Sequence, residues 1–467
     1  MWTYHDLHAH MDQIKTPFII PYSAVLLTFL TFVGITFGIA LDFNLALPVV
    51  FFSGIGLFIL FRERPLIFFG ILLVARMSLD YSSQYLSFTF YDITLSLSQL
   101  LGIGIALLGA YCLYLYYPKV KTFGLNTPFL ILLIWGVLTL TISLSPSLGI
   151  SEIIRIFDLY VIALLSYLFI KSKDDLQFLL KAILLSSFIP SLVALYQYVN
   201  HIGFSDADVS IPRIYGTFAH PNTLSLYLFS LLVVSFIYYL LNRKNFTLHQ
   251  EKIFYGLSLF FAFLLFLTFA RVAWVITFFF LFLIAVARMK KLLLPLVLIP
   301  LILVLLSPTF QGRIMESLSP APDSSIVWRQ NLWSDVIQKT IQDDRILIGS
   351  GINTFPLFTT NLRGSLPGSN DAHNDFVKFF VEGGFIGLGI LLCFYILLFE
   401  ILIKAKHTLA HDSVLSGIAF ALMLFLLCLT IASLTDNFFK NTPVQWIFFA
   451  LFGALLSLAR RTVHSHT

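Results

Sequence analysis

The sequence predicts an all-α fold: a polytopic membrane helix bundle of about 12–14 transmembrane helices with one large extracytoplasmic loop that contains short helices. Of the 467 residues, 58% are apolar and only 11% are charged, whereas a soluble domain usually carries about 25% charged residues. Apolar runs of bilayer length, about 20 residues each, follow one another with very short polar breaks. We therefore expect membrane lipids, and no nucleic acid, among the partners of this chain.

Fourteen apolar segments predict the transmembrane helices. They cover residues 18–40, 44–61, 65–79, 93–117, 127–145, 150–170, 176–199, 223–241, 253–270, 272–287, 292–307, 379–403, 414–434 and 443–459. The third and the eleventh are short, so the expected number is twelve to fourteen. The chain then divides into a tail at 1–17, helices 1–11 at 18–307, a large loop at 308–378, helices 12–14 at 379–459 and a tail at 460–467.

The distribution of basic residues predicts which loops lie on each side of the membrane. Cytoplasmic loops are enriched in Lys and Arg, and every second break in this chain carries such residues. The short breaks between them hold single basic residues, namely Arg213, Arg271, Lys378 and Lys440. We therefore expect both termini in the cytoplasm, and the Arg213 break, Arg271 and the large loop on the outer face.

The large loop is unusual because most connections run only about 4–6 residues. Apolar residues at helical spacing predict an amphipathic helix over Ser324–Asp343, which lies on the membrane surface or caps the bundle. Glycines predict a turn within residues 348–355. A further helix is expected to begin at His373, with Asn370 or Asp371 as its cap, and to continue into the twelfth span.

Two breaks on the predicted outer face carry candidate binding residues. The break before the eighth span contains Arg213, Tyr215, His220 and Asn222. A tight turn between the ninth and tenth spans places Arg271 near the membrane boundary. Charged residues at membrane depth are costly and usually mark a function or an ion pair.

These side chains predict a reaction at a phosphorylated lipid. Guanidinium groups are always charged and bind phosphate oxygens bidentately, so a pyrophosphate at the lipid boundary is the natural anion for Arg213 and Arg271. A histidine can be neutral at physiological pH and accept a proton, and a helix N-terminus disfavours its charged form. We expect His373 to deprotonate an acceptor hydroxyl, which displaces a pyrophosphate held by the arginines.

Four motifs, in this order and in these loops, resemble the signature of the O-antigen ligase and polymerase superfamily. They are Arg213 with Gly-Thr-Phe-x-His-Pro-Asn at 216–222, Ala-Arg271-x-x-Trp, Ile348-Gly-x-Gly-x-x-x-Phe355, and His373-Asn-x-x-x-x-x-x-x-Glu-x-Gly384. The resemblance covers about residues 150–400, and three spans follow the large loop as in that superfamily.

This resemblance implies an inverting, metal-independent glycosyltransferase of the bacterial inner (cytoplasmic) membrane, which needs no cofactor and binds no metal. It implies that the donor is a glycan on undecaprenyl pyrophosphate, that Arg213 and Arg271 bind its diphosphate, and that His373 is catalytic. Three acceptor classes are open: lipid A-core for a ligase, a growing repeat-unit chain for a polymerase, and a protein hydroxyl or other surface glycan.

Seven more residues are candidate supports of the site: Tyr215, His220, Asn222, Arg329, Arg345, Asn374 and Glu382. Tyr215 can hydrogen-bond or stack on a glycan, whereas His220 is expected to orient its loop. Arg329 and Arg345 either help to hold the donor or lie on a solvated helix face.

Acidic residues elsewhere have structural interpretations. Asp371, Asp375 and Glu382 suggest a metal site, but helix capping accounts better for the aspartates. Arg155 and Asp158 at i,i+3 spacing inside the sixth span predict an ion pair.

Two rival classes are distinguishable from this hypothesis. A glycan-lipid transporter would place its polar site near the membrane midplane, often between internal repeats. A metal-dependent membrane glycosyltransferase would carry an acidic pair in an early outer loop, where this chain has only Leu41-Asp-Phe-Asn44.

Overall fold

A computed structural model describes residues 46–79, 87–90, 93–206, 209–320, 324–364 and 370–464. The predicted tail at 1–17 and the predicted span at 18–40 lie outside the described residues. The chain falls into two compact units, one ending at Phe69 and the other beginning at Gly70.

The fold is all-α and polytopic, as the sequence predicts. The helices, in chain order, are α1 (Ala46–Glu63), α2 (Pro65–Arg76), α3 (Leu97–Leu115), α4 (Tyr117–Val120), α5 (Asn126–Thr139), α6 (Pro146–Phe169), α7 (Lys173–Leu185), α8 (Phe188–Val199), α9 (Pro221–Asn242), α10 (Leu248–Leu267), α11 (Arg271–Arg288), α12 (Leu293–Leu306), α13 (Pro308–Leu318), α14 (Ser325–Gln342), α15 (Phe355–Arg363), α16 (Asp375–Thr408), α17 (Ser413–Ala432) and α18 (Thr442–His464). Short 3-10 turns cover Leu140–Ile142, Lys290–Leu292 and Phe438–Lys440. Two antiparallel hairpins join helices: β1 (Ser87–Phe90) with β2 (Ile93–Ser96), and β3 (Phe204–Asp206) with β4 (Val209–Arg213).

Eight helical segments among the described residues are long and apolar enough to cross a membrane. The chain is therefore a multi-pass membrane protein. Each predicted span within the described residues coincides with a helix or a pair of helices, except that the first four residues of the span predicted at 93–117 form β2. The span predicted at 176–199 is broken between α7 and α8, because Pro190 has no N–H to donate to the Ser186 carbonyl. The hydroxyl groups of Ser186 and Ser187 instead bond back to carbonyls of α7.

Helices α6 and α18 form the centre of the second unit. A methyl group at Gly453 would lie 2.0 Å from the Ala163 carbonyl oxygen, so the two backbones nearly touch. The Ser166 hydroxyl donates to the Ala450 carbonyl, and the Ser457 hydroxyl donates to the Ile170 carbonyl, both at 2.6 Å. Small residues and interhelical hydrogen bonds of this kind hold helices together in lipid.

The predicted ion pair between Arg155 and Asp158 on α6 is wrong. The Arg155 guanidinium binds both carboxylate oxygens of Glu152, at 2.7 and 2.8 Å, and donates to the Gln445 side chain at 2.7 Å. Glu152 and Asp158 are each three residues from Arg155, so spacing alone does not distinguish them. Glu152 makes the bidentate contact that guanidinium groups favour.

Helix α16 is interrupted at Gly384, whose φ of 60° and ψ of −155° are not helical. The polar segment 346–351 fills the gap in its hydrogen-bond ladder. The Ser350 and Gly351 N–H groups donate to the Val381 and Glu382 carbonyls, and the Phe385 N–H donates to the Ile346 carbonyl. These hydrogen bonds attach the large loop to α16, the first membrane helix that follows it. They also pair backbone N–H and C=O groups that the break in α16 would otherwise leave without a hydrogen-bond partner.

The amphipathic helix predicted at Ser324–Asp343 is present as α14, with Ser324 as its N-cap. It caps the bundle, since Leu332 and Val336 pack into a buried cluster with Phe355 of α15 and Phe380 of α16. This packing holds the large loop against the end of the bundle where α16 begins.

Candidate active site

His373 lies just before α16 and is held in an unusual backbone conformation. Its φ of 46° belongs to the left-handed region, which histidine adopts more readily than most residues. The predicted helix start is wrong by two residues: α16 begins at Asp375, and the cap is Asn374, whose side chain accepts from the Phe376 and Val377 N–H groups. Asn374 therefore supports the site by fixing the residue next to His373.

The indole N–H of Trp333 on α14 fixes the other side of this residue, because it donates to the Ala372 carbonyl at 2.6 Å. His373 is thus held between a helix cap and a loop helix. The backbone at His373 is therefore held by contacts of the residues on both sides of it.

The imidazole of His373 faces a buried carboxylate. Its Nδ1 lies 3.5 Å from Oδ1 of Asp436, in the connection between α17 and α18. Burial would raise the pKa of Asp436, but its contact with His373 and the charge of nearby Arg329 hold that pKa down at about 2. An ionised carboxylate facing Nδ1 favours the tautomer with its proton on Nδ1, which leaves Nε2 as the basic nitrogen.

A second histidine lies beside the first. The ring centroids of His220 and His373 are 6.4 Å apart. Burial, together with the charges of Arg213, His373 and Arg329, lowers the pKa of His220 to about 4, although the carboxylate of Asp436 opposes this shift. Its Nδ1 accepts the Asn222 N–H at 3.1 Å, so neutral His220 caps α9 and orients its loop, as the sequence predicts.

Arg213, at the end of β4, is 6% exposed and connects this loop to the next. Its Nε donates to the Thr268 carbonyl at 2.8 Å, and its Nη2 donates to the Asn222 side-chain oxygen at 3.0 Å. Asn222 thereby supports Arg213. Because Thr268 directly follows α10 and begins the turn before α11, the guanidinium lies against the segment that leads into Arg271.

Arg271 begins α11 and contacts two elements of the large loop. Its Nη1 lies 3.0 Å from Oε2 of Glu316 on α13, and its Nη2 donates to the Ser325 hydroxyl at 3.1 Å. Ser325 is one helical turn from Arg329 on α14. Arg329 in turn donates to the Thr435 carbonyl at 3.1 Å, one residue before Asp436.

These contacts, together with short chain segments between them, connect the residues into a ring at one end of the bundle. The ring runs from His373 through Asp436, Arg329, Arg271 and Arg213 and returns by way of His220. Its links to the three arginines pass through Thr435, Ser325 and Thr268. Three cations and two imidazoles that are distant in sequence are therefore connected at the same end of the bundle. Such a site can hold a multiply charged anion beside a proton acceptor.

Three predicted supports take other positions. Tyr215 is half-buried, and its backbone N–H donates to the Gln197 side chain at 2.9 Å. Arg345 follows the far end of α14, on the order of 20 Å along that helix from Arg329. Glu382 is buried in α16, where its side chain accepts the Phe355 N–H at 3.1 Å. It therefore stabilises the large loop and is not one of the residues that form the ring.

Sequence reasoning missed Asp436, Arg313 and Glu316. Asp436 is the acidic residue of the break before the last predicted span, and that position alone could have marked it. Arg313 and Glu316 stand at i,i+3 spacing in the first polar stretch of the large loop, a pattern as common in solvated helices as in sites. Within the described ranges, no three His, Cys, Asp or Glu side chains group as metal ligands would.

Comparison with known families gives one match. Residues 256–392 fit the family model described as O-antigen ligase. No curated protein matches the chain. The matched segment includes Arg271 and His373 and the whole large loop between them. This match shows that the segment at residues 256–392 is similar to the O-antigen ligase family.

Proposed function

We propose that this chain is a membrane glycosyltransferase that transfers a glycan from undecaprenyl pyrophosphate to an acceptor sugar hydroxyl at the outer face of the bacterial inner membrane. The family domain supports an enzyme of the O-antigen ligase type. The observation that supports the more specific proposal is the ring of contacts and short chain segments that connects His373 with Arg213, Arg271 and Arg329.

In the proposed reaction, His373 is the general base. Its Nε2 takes the proton of the acceptor hydroxyl, and the acceptor oxygen forms a bond to the anomeric carbon of the donor glycan. The bond from that carbon to the diphosphate oxygen breaks, and the electron pair leaves with undecaprenyl pyrophosphate. Attack opposite the leaving group inverts the anomeric configuration. Asp436 keeps the Nδ1 proton in place and stabilises the imidazolium that forms.

The arginines act on the leaving group. Charge accumulates on the diphosphate as the bond breaks, so positive groups already in position stabilise the transition state more than the ground state. Arg213 and Arg271 are the proposed diphosphate ligands, and Arg329 adds positive charge on the Asp436 side. Because the arginines neutralise the leaving group, the proposed mechanism has no step that requires a metal ion.

In vitro transfer tests this proposal. Purified protein is given a lipid-linked glycan with either lipid A-core or a repeat-unit acceptor, in buffer with and without EDTA. We expect a product with inverted linkage, formed equally well in EDTA. Transfer to lipid A-core identifies a ligase, and elongation of repeat units identifies a polymerase of the same superfamily.

Two results would contradict the proposal. EDTA inhibition that Mg²⁺ or Mn²⁺ reverses would indicate metal-dependent chemistry. Movement of the intact lipid-linked glycan across proteoliposomes, with no transfer to any acceptor, would indicate a transporter.

A further inference from the structure

A single carboxylate oxygen lies between two guanidinium groups at the entrance to the large loop. Oε2 of Glu316 is 3.0 Å from Nη1 of Arg271 and 3.0 Å from Nη1 of Arg313. Arg271 comes from the start of α11, whereas Arg313 and Glu316 lie on α13. One oxygen thus joins cations from two elements, as a phosphate oxygen would.

The geometry of this contact is unfavourable for an ion pair with a purely structural role. The other oxygen of Glu316, Oε1, is buried and has no hydrogen-bond partner among the described residues. A carboxylate that faces a guanidinium ordinarily uses both oxygens, in two parallel hydrogen bonds. Leaving one buried acceptor unsatisfied carries a cost that a better-fitting anion would remove.

The charges also favour a second anion. Two guanidinium groups face one carboxylate, and Arg313 is only 2% exposed. Burial would raise the pKa of Glu316, but the hydrogen bond from Arg313 and the charge of Arg271 hold it below its ordinary value, so Glu316 is ionised. Two guanidinium groups thus share one carboxylate oxygen beside the proposed diphosphate site.

Helix α13 is placed to take part in donor binding. It packs against β4, the strand that ends at Arg213. Its residues Met315 and Leu318 are largely exposed, so the helix lies at the surface of the protein. The other partners of Arg271, the hydroxyl groups of Ser317 and Ser325, are neutral and can remain in place when Glu316 leaves.

We propose that Glu316 is an internal substitute for a phosphate oxyanion, and that Arg313 is a further guanidinium of the donor-diphosphate site. This inference rests on the proposed function. When the pyrophosphate of the donor enters, it displaces the Glu316 carboxylate and binds Arg271 and Arg313 together. Until then Glu316 competes with the donor, because a site that is open only part of the time binds with correspondingly lower apparent affinity.

Binding of undecaprenyl pyrophosphate to the purified, detergent-solubilised protein tests the proposal. We expect Glu316→Gln, which keeps the shape but removes the charge, to tighten binding about tenfold, the gain for a site that is otherwise open about a tenth of the time. Arg313→Gln should weaken binding, and in the Glu316→Gln background it should remove the gain. Glu400→Gln, which alters an exposed pair with Lys404, should leave affinity unchanged.

Unchanged or weaker binding by folded Glu316→Gln would overturn the proposal and leave a structural ion pair. If Glu316→Gln does not fold, the affinity of Arg313→Lys for undecaprenyl pyrophosphate tests the proposal. Lysine keeps the positive charge but cannot make the bidentate contact of a guanidinium group, so wild-type affinity in this variant would overturn the proposal. If Glu316→Gln instead binds phosphatidylglycerol more tightly but undecaprenyl pyrophosphate no more tightly, Arg313 binds a lipid head group, and the proposal is overturned as well. Absence of binding by the wild-type protein would instead overturn the proposed function itself.

Discussion

Nδ1 of His373 lies 3.5 Å from Oδ1 of Asp436, although 63 positions and two membrane helices separate the two residues in the chain. An ionised carboxylate in this position favours the tautomer of His373 with its proton on Nδ1. It therefore links the helix connection after α17 to the chemistry proposed at the start of α16.

Replacing Asp436 tests this link. In Asp436→Asn the side-chain amide can donate to Nδ1, which moves the ring proton to Nε2 and removes the base. We expect kcat to fall by about 10²-fold or more while KM for the donor changes little. Asp436→Glu should recover part of the rate.

Steady-state transfer kinetics separate kcat from KM. Asp343→Asn, in an exposed i,i+4 pair with Lys339, is the matched control and should behave as wild type. A rise in KM with normal kcat in Asp436→Asn would show that Asp436 serves donor binding instead.

Arg213 and Arg271, the proposed diphosphate ligands, are expected to require the bidentate geometry of a guanidinium group and not only a positive charge. We expect Arg213→Lys and Arg271→Lys each to weaken binding of undecaprenyl pyrophosphate about 10- to 100-fold, because hydrogen bonds to charged groups contribute about 1.5–3 kcal/mol. Lysine keeps the charge but not the bidentate contact. The same change at exposed Arg461 should have no effect, and wild-type affinity in both site variants would contradict the assignment.

The interruption of α16 at Gly384 is expected to be required for folding. A methyl group there would lie 2.2 Å from the Leu347 carbonyl carbon, and the backbone already has a φ of 60°. Gly384→Ala should lower the thermal unfolding temperature in detergent, since a strained backbone position alone costs about 1–3 kcal/mol.

Gly389, on the same helix, is the control, because a methyl group there meets nothing within 4 Å. Gly389→Ala should leave the unfolding temperature unchanged or raise it slightly. Equal stability of the two variants would show that segment 346–351 does not need the break in α16.

The depressed pKa of His220 predicts a pH-dependent stability. The unfolded chain takes up a proton on this residue near pH 6.5, but the folded chain does so only near pH 4. Stability should therefore fall as the pH is lowered from about 6.5 to about 4, because the unfolded state binds more protons in that window.

Thermal unfolding in detergent across this pH range measures the effect. His220→Asn removes the titrating group but keeps a good N-cap for α9, so its unfolding temperature should depend less on pH. An equally steep dependence in the variant would assign the effect to other groups.

Local patterns were sufficient to predict much of this fold. The amphipathic spacing of Ser324–Asp343 gives α14 to within one residue at each end, because a surface helix follows its own sequence period. The apolar runs likewise give the spans that the described residues contain, although they do not show where Pro190 breaks one of them.

The start of α16 could not be predicted from local pattern, because Asn370, Asp371 and Asn374 are all good cap residues. Tertiary contacts decide among them. Asn370 donates to the Thr360 hydroxyl and Asp371 binds Lys440, which leaves Asn374 to cap the helix.

The site itself was predicted only in part. The motif order drew attention to Arg213, Arg271 and His373, which the structure brings to one end of the bundle. Asp436 joins them through the packing of α16, α17 and α18, and such long-range contacts leave no period in the sequence. Arg345 shows the converse: a basic residue in the right loop can still lie at the wrong end of a long helix.

The most direct test of the proposed base is glycan transfer by His373→Asn. Asparagine tolerates the left-handed backbone at this position better than alanine does, so the variant removes the imidazole without straining the loop. The account predicts that this variant remains folded in the membrane, binds undecaprenyl pyrophosphate normally, and transfers glycan at least about 10²-fold more slowly than wild type. Transfer by His373→Asn at the wild-type rate would contradict it.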